Sequence, residues 1–166
     1  MTTLTFGDLI EAGKQVAQEL RTRESSIAVS ESAAGGLINA ALVAVPGASD
    51  FYKGGMVVYT TSARDVLAGD DPIPKDVRGA TESFALIQAK RAKQLYRADW
   101  GIGETGATGP SGNPYGDPPG VGWVACSGET EVTLELRTGN NDRESNMYEF
   151  AIAALELTIQ GRLFLM

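Results

Sequence analysis

SIAVSESAAGGLINAALVAVPG, residues 26–47, changes its period midway. Ser26 to Ser30 reads as a short buried strand, because Ile27, Ala28 and Val29 form an apolar run too short for a helix. Gly36 to Ala44 reads as a helix, and Pro46-Gly47 stops it. Between them lies SESAAGG, residues 30–36. A strand that feeds a helix through a glycine-bearing turn leaves the first helical N–H groups unpaired and partly positive. Ser32, in that turn, can serve as a helix cap, an anion ligand or a nucleophile beside an oxyanion hole. Gly35 and Gly36 would let a ligand approach the backbone. The local pattern leaves these readings open.

Outward from this unit the chain alternates the two periods. Upstream, Thr5-x-x-Asp8 resembles a capping box, and Leu9, Gly13, Val16 and Leu20 predict a helix to about Arg23. Downstream, Met56 to Tyr59 predicts a strand. Ser62 to Leu67 predicts a short helix with Ser62 as N-cap. Ser83 to Tyr96 predicts a longer helix with Phe84, Ile87, Ala92 and Leu95 toward the core. Trp100 to Thr105 and Trp123 to Cys126 read as strands, and Val132, Leu134 and Leu136 alternate with polar residues as a half-exposed strand does. Met147, Phe150, Ala154 and Leu157 mark a last helix. The pattern predicts one α/β domain over residues 1–166, a layered fold with a central mixed β-sheet flanked by helices.

Residues 101–122, GIGETGATGPSGNPYGDPPGVG, hold eight glycines and four prolines and are expected to be irregular. Gly101, Gly103 and Gly106 match G-x-G-x-x-G, but no helix opens at the third glycine, so a dinucleotide fingerprint is not implied. A loop of this length is a plain surface loop or a ligand-contacting one.

Composition excludes whole classes of chemistry. The 166 residues contain no histidine and one cysteine, Cys126. That removes Ser-His-Asp and Cys-His catalysis, histidine zinc sites and thiolate clusters, and no cofactor is expected. A base, if one acts, must be Lys, Tyr, a carboxylate or water. The net charge of −7 argues against nucleic-acid binding, yet a small anionic ligand needs only one or two local cations. No run reaches the ~18 apolar residues of a membrane span, and no signal peptide is evident. A cytoplasmic protein is expected.

Five stretches taken in order carry a resemblance: SESAAGG, VPGAS at 45–49, FYKGGMVVYTTSAR at 51–64, TGATGP at 105–110 and NDRE at 141–144. They resemble the C-terminal domain of the competence/damage-inducible protein CinA, the nicotinamide-nucleotide amidase family. Its stretches read approximately ESCTGG, PGSS, F-x-RGG-x-V-x-YSNEAK, TGIAGP and GDR. Order and spacing agree: Ser49, Tyr59 and Arg64 follow Ser32 by seventeen, twenty-seven and thirty-two residues. The resemblance implies hydrolysis of nicotinamide mononucleotide to nicotinic acid mononucleotide and ammonia, by a Ser–Lys type mechanism without metal. It makes Ser32 the nucleophile, sets Ser49 and Tyr59 in the polar network around it, and brings Thr105 and Gly106 to the ligand. Arg143 matches the GDR arginine as a phosphate or substrate contact. Without the resemblance, Tyr59 reads equally as a strand aromatic and Arg143 as a solvated residue at a helix start.

The departures bear on activity. Arg64 stands where the family has its lysine, and a guanidinium, with a pKa above ~12, cannot accept the serine proton. Lys53 lies a strand's length away, roughly 15–20 Å at ~3.3 Å per residue, so it is no substitute. Tyr59 activated by Arg64, or a carboxylate such as Glu31 or Glu104, is the better base. NPYGDPPG replaces the family's loop and is expected to change what the pocket accepts. Lys90, Arg91, Lys93 and Arg97 read as a solvated helix face. The apolar end LFLM, residues 163–166, either tucks into the core or packs against another subunit, and a homo-oligomer is the expectation.

Overall fold

Thr5 opens the first helix as expected: its Oγ1 accepts the Asp8 N–H at 3.3 Å, and Asp8 Oδ2 accepts the Thr5 N–H at 2.7 Å. Helix α1, Phe6–Thr22, buries Leu9, Ala12, Val16, Ala17 and Leu20 along one stripe. The computed structural model describes residues 3–163, with side chains to residue 161. The LFLM end lies outside the described residues except for the backbone of Leu163. Strand β1, Ile27–Glu31, is buried throughout, and α2, Leu37–Val43, follows the SESAAGG turn. A 3-10 turn, Ala48–Asp50, leads into β2, Tyr52–Val57. Then come α3, Thr61–Ala68, and α4, Glu82–Leu95. Strands β3, Trp100–Gly106, β4, Val121–Ser127, and β5, Glu131–Arg137, precede α5, Arg143–Leu163.

The five strands form one sheet in the order β2-β1-β3-β4-β5. β1 runs parallel to β2 and β3, whereas β3, β4 and β5 are antiparallel, so the sheet is mixed. Helices α1, α2 and α5 pack together on one face, and α4 covers the other against β1, β3 and β4. The main core joins Leu9 and Leu20 to Val29, Ile38, Ile102 and Phe150. A smaller cluster of Val58, Leu67 and Phe84 fastens α3 to α4. Among the described residues no helix is long and apolar enough to cross a membrane.

Several expectations shift. The N-cap of α3 is Thr60, whose Oγ1 accepts the Ala63 N–H at 3.3 Å; Ser62 lies inside the first turn. Of the expected α4 contacts, Phe84 and Ala92 are buried, Ile87 is half-buried and Leu95 faces solvent. Strand β2 starts four residues before Met56 and ends at Val57, because Gly54 and Gly55 belong to it. A Cβ at Gly55 would stand 1.9 Å from Asn39 Oδ1, so the strand needs a residue without one. The same reason bears out the strand expected over Trp100 to Thr105 and shortens the irregular stretch expected over 101–122. Residues 101–106 are strand, residues 121 and 122 open β4, and only 107–120 is irregular. Cβ atoms at Gly101 and Gly103 would lie 1.9 Å from the carbonyl oxygens of Ala89 and Ala85. These glycines let the backbone of α4 lie directly against β3.

The basic residues of α4 are engaged within the chain. Lys90 pairs with Glu131 at 3.2 Å, Arg91 with Asp71 at 2.7 Å, and Lys93 reaches the Gly128 carbonyl at 3.4 Å.

Candidate functional site

The turn that carries Ser32 is built on two buried carboxyls. Glu31, on β1, is fully buried. Its Oε1 accepts the N–H groups of Gly36 at 2.7 Å and Ile38 at 3.2 Å; its Oε2 accepts the backbone and side-chain N–H of Asn39, both at 2.8 Å. Glu104, on β3, is also fully buried, and its Oε2 accepts the N–H groups of Ser32 and Ala34, each at 2.9 Å. The Gly35 N–H donates to the Ser32 carbonyl at 3.0 Å. The open amide cradle expected at the helix start is therefore filled from within: these N–H groups are spent on Glu31, Glu104 and the turn itself. A carboxylate at a helix start is stabilised there, so Glu31 takes the place an external anion would have.

Burial pushes both carboxyls up. For Glu31 the hydrogen bonds from Asn39, Ile38 and Gly36 pull back. Glu104 has fewer, feels the charge of Glu31, and rises to about 8. Its Oε1 has no hydrogen-bond partner among the described residues. Tyr52, whose hydroxyl donates to Asn39 Oδ1 behind Glu31, is pushed up to about 12 by burial and by Glu31.

Above the turn lies a cleft of about 370 Å³. Ser32 reaches it from the end of β1, Thr105 and Gly106 from the end of β3, and Tyr59 and Arg64 from the segment after β2. Phe84 of α4 and Asn113 to Tyr115 of the irregular segment complete its walls. Parallel β1 and β3 end side by side here, which is where ligands bind in open α/β sheets.

Thr105 is buried and its Oγ1 accepts the Ala80 N–H at 2.9 Å. Gly106 must lack a side chain, since a Cβ would stand 2.6 Å from the Phe150 ring. Arg64 donates to the Val77 carbonyl at 2.6 Å and lies 4.4 Å above the Phe84 ring centroid. Tyr59 is exposed, and its hydroxyl accepts from Arg143 Nη2 at 2.7 Å. Arg143 Nη1 donates to the Gly109 carbonyl at 2.6 Å, so one guanidinium ties Tyr59 to the irregular segment. The cation at Tyr59 is thus Arg143 rather than Arg64, which is held by Val77 and Phe84.

Four expected site residues do not line the cleft: Arg143, which meets it only through the Tyr59 hydroxyl, and Gly35, Gly36 and Ser49. Gly35 and Gly36 shape the turn: both have positive φ, 67° and 103°, and a Cβ on Gly35 would stand 2.8 Å from Met147 Cε. Ser49 sits in the 3-10 turn before β2. Ile27 pairs with Tyr52 and Glu31 with Val57, so Ser49 lies at the opposite end of the parallel pair from Ser32. Lys53 shares that far end.

Sequence reasoning missed Gln88 and Arg78. Gln88 Oε1 accepts from Ser30 Oγ at 2.9 Å, and its Nε2 donates to the Glu104 carbonyl at 2.8 Å. It follows Phe84 by four residues, so a polar residue on the apolar face of α4 was the available signal. Arg78 Nη1 meets Asp117 Oδ2 at 2.8 Å, a pairing across thirty-nine residues that no local pattern announces.

Comparison with known proteins matches residues 10–161 to the model of the CinA C-terminal domain. A CinA-like protein of Salinibacter ruber is 36% identical over 138 residues, covering 82% of this chain and 34% of that protein. A putative competence-damage inducible protein of Moorella thermoacetica is 35% identical over 141 residues, with 83% and 34% covered. The chain thus spans about a third of the length of these relatives. The crystal structure of competence/damage inducible protein CihA from Agrobacterium tumefaciens superposes with a TM-score of 0.85 at 25% identity, over 96% of this chain and 98% of that one. A CinA superfamily protein from Escherichia coli superposes with a TM-score of 0.83 at 25% identity, over 94% and 90%. On the extent of the match, the chain belongs to the CinA C-terminal domain family.

Proposed function

We propose that the chain is an amidohydrolase that deamidates nicotinamide mononucleotide, with Ser32 as nucleophile. The observation that carries this reading is the cleft itself, which gathers Ser32, Tyr59, Arg64, Thr105 and Gly106 from separate segments. Ser32 Oγ attacks the carboxamide carbon and the C–N bond breaks. The nitrogen leaves as ammonia with the serine proton, and water then hydrolyses the acyl-serine to the carboxylate and restores the hydroxyl.

The proton acceptor in this reading is the Tyr59 phenolate, which then hands the proton to the leaving nitrogen. Arg64 cannot take a proton. Glu31 and Glu104 are buried beneath the turn and hold backbone N–H groups. Tyr59 faces the cleft with Arg143 at its oxygen, a positive charge beside the atom that would change charge. Turnover is expected to be slow, because the family's lysine is missing. A second reading, a nucleotide-binding homologue with little chemistry, is favoured by the engagement of Arg64 with Val77 and Phe84.

Incubation with nicotinamide mononucleotide and an ammonia assay tests both. The first reading expects weak ammonia release, its loss in Ser32→Ala and a rise in Arg64→Lys. Release unchanged in Ser32→Ala would overturn the nucleophile assignment. Saturable binding without release in either wild type or Arg64→Lys would support the second reading.

A further inference from the structure

The irregular segment 107–120 carries one aromatic side chain, Tyr115. The chain fixes it with unusual thoroughness. Asn113 Oδ1 accepts the N–H groups of Tyr115 at 3.1 Å and Asp117 at 3.0 Å. Asn113 Nδ2 and Arg78 Nη1 both donate to Asp117 Oδ2 at 2.8 Å. Those two bonds hold the Asp117 carboxyl below the usual aspartate range, which keeps the latch charged. The Arg78 guanidinium lies 5.0 Å from the Tyr115 ring centroid. Yet 54% of Tyr115 remains exposed.

A ring that buries so little gives the core almost nothing in return for this order. Its place explains it better. Tyr115 lines the same cleft as Ser32. So does Tyr59, 60% exposed and likewise held by an arginine. Two solvent-facing tyrosines, each fixed by a guanidinium, therefore border one cavity of mononucleotide size. An exposed aromatic surface held in place stacks a planar ring at little entropic cost.

We propose that Tyr115 is the specificity-determining residue of this cleft, stacking the planar heteroaromatic ring of a mononucleotide whose reacting group meets Ser32. The proposal rests on reading the cleft as the ligand site, but not on deamidation as its chemistry. Arg78 holds the loop that carries the ring, and Arg64, which lines the cleft, favours an anionic ligand.

Calorimetric titration of wild type, Tyr115→Ala and Tyr115→Phe with nicotinamide mononucleotide, adenosine monophosphate and ribose 5-phosphate tests it, with ammonia release measured on the same samples. Stacking of about 1–3 kcal/mol per ring corresponds to roughly 5- to 150-fold in affinity. Tyr115→Ala is expected to weaken at least one ring-bearing nucleotide about tenfold. Ribose 5-phosphate binding should change less than about twofold, and Tyr115→Phe should bind within about threefold of wild type. Equal losses for ring-bearing and ring-free ligands would reduce Tyr115 to a loop anchor and overturn the proposal. So would unchanged affinity in Tyr115→Ala, or a wild type that binds none of the nucleotides. Ring-dependent binding without ammonia sinks deamidation and keeps the stacking role. Ammonia release with an unaltered KM in Tyr115→Ala does the reverse.

Discussion

Glu31 and Glu104 stand next to each other on neighbouring parallel strands and hold successive parts of one turn. Ser30 pairs with Gly103, so the two carboxyls leave the sheet one position further on. Glu104 takes the N–H groups at the start of the turn and Glu31 those at the entry to α2. Burial raises both carboxyls, and Glu104, the less hydrogen-bonded of the two, is raised the further by the charge of Glu31 beside it.

A pH dependence follows. Glu104 titrates near 4.5 when unfolded and at about 8 when folded. Below 4.5 it is protonated in both states. As pH rises from there to 8, only the unfolded chain releases the proton, so stability falls across that window and levels off above it. The loss is on the order of 3–5 kcal/mol. Glu104→Gln should flatten the slope of unfolding free energy between pH 5 and pH 8, measured by urea denaturation. A slope as steep as wild type would show that Glu104 is ionised in the fold.

Gly103→Ala should be among the most damaging small substitutions in the chain. The added methyl would stand 1.9 Å from the Ala85 carbonyl oxygen, and backbone cannot move aside as a flexible side chain can. A cost of about 3 kcal/mol is expected in the same denaturation assay. Gly69→Ala, with nothing within 4 Å, is strained only by its backbone, φ 57° and ψ −124°, and should cost less.

The Arg143–Tyr59 hydrogen bond should register in a double-mutant cycle. Tyr59→Phe and Arg143→Ala each remove it, and the pair together should be less harmful than the two effects added. Because the contact is exposed, a coupling of roughly 0.5–1 kcal/mol in stability is expected. Strict additivity would mean that the bond does not persist in solution.

Thr5→Ala should lower stability by about 1 kcal/mol by removing the side-chain half of the cap on α1. Thr5→Ser, which keeps the hydroxyl, should restore most of it. Equal losses in both variants would place the effect in the Thr5 methyl.

The elements legible in the sequence were those whose signal is local. The period of α1 and the cap at Thr5 needed nothing beyond twenty residues. Ser32, Tyr59 and Arg64 were placed by ordered motifs, and the cleft does collect them. Glycine was misread where its reason is a distant atom. At Gly55 that atom belongs to Asn39, and at Gly101 to Ala89, and no local pattern encodes either. Ser49 failed similarly: seventeen residues from Ser32 in sequence, it follows α2 back to the other end of the sheet. The occupied amides of the turn were hidden because Glu104 reaches them from seventy-two residues away.

Gln88 bolts α4 to two strands at once, through the Ser30 hydroxyl and the Glu104 carbonyl. Sliding the helix by one turn would break both bonds and drive helix backbone across the smooth strip at Gly101 and Gly103. One jaw of the cleft, bearing Phe84, is thereby immobile relative to Ser32. The opposite jaw is anchored in turn by Arg78 and Arg143, so a guest meets a site whose walls are already set.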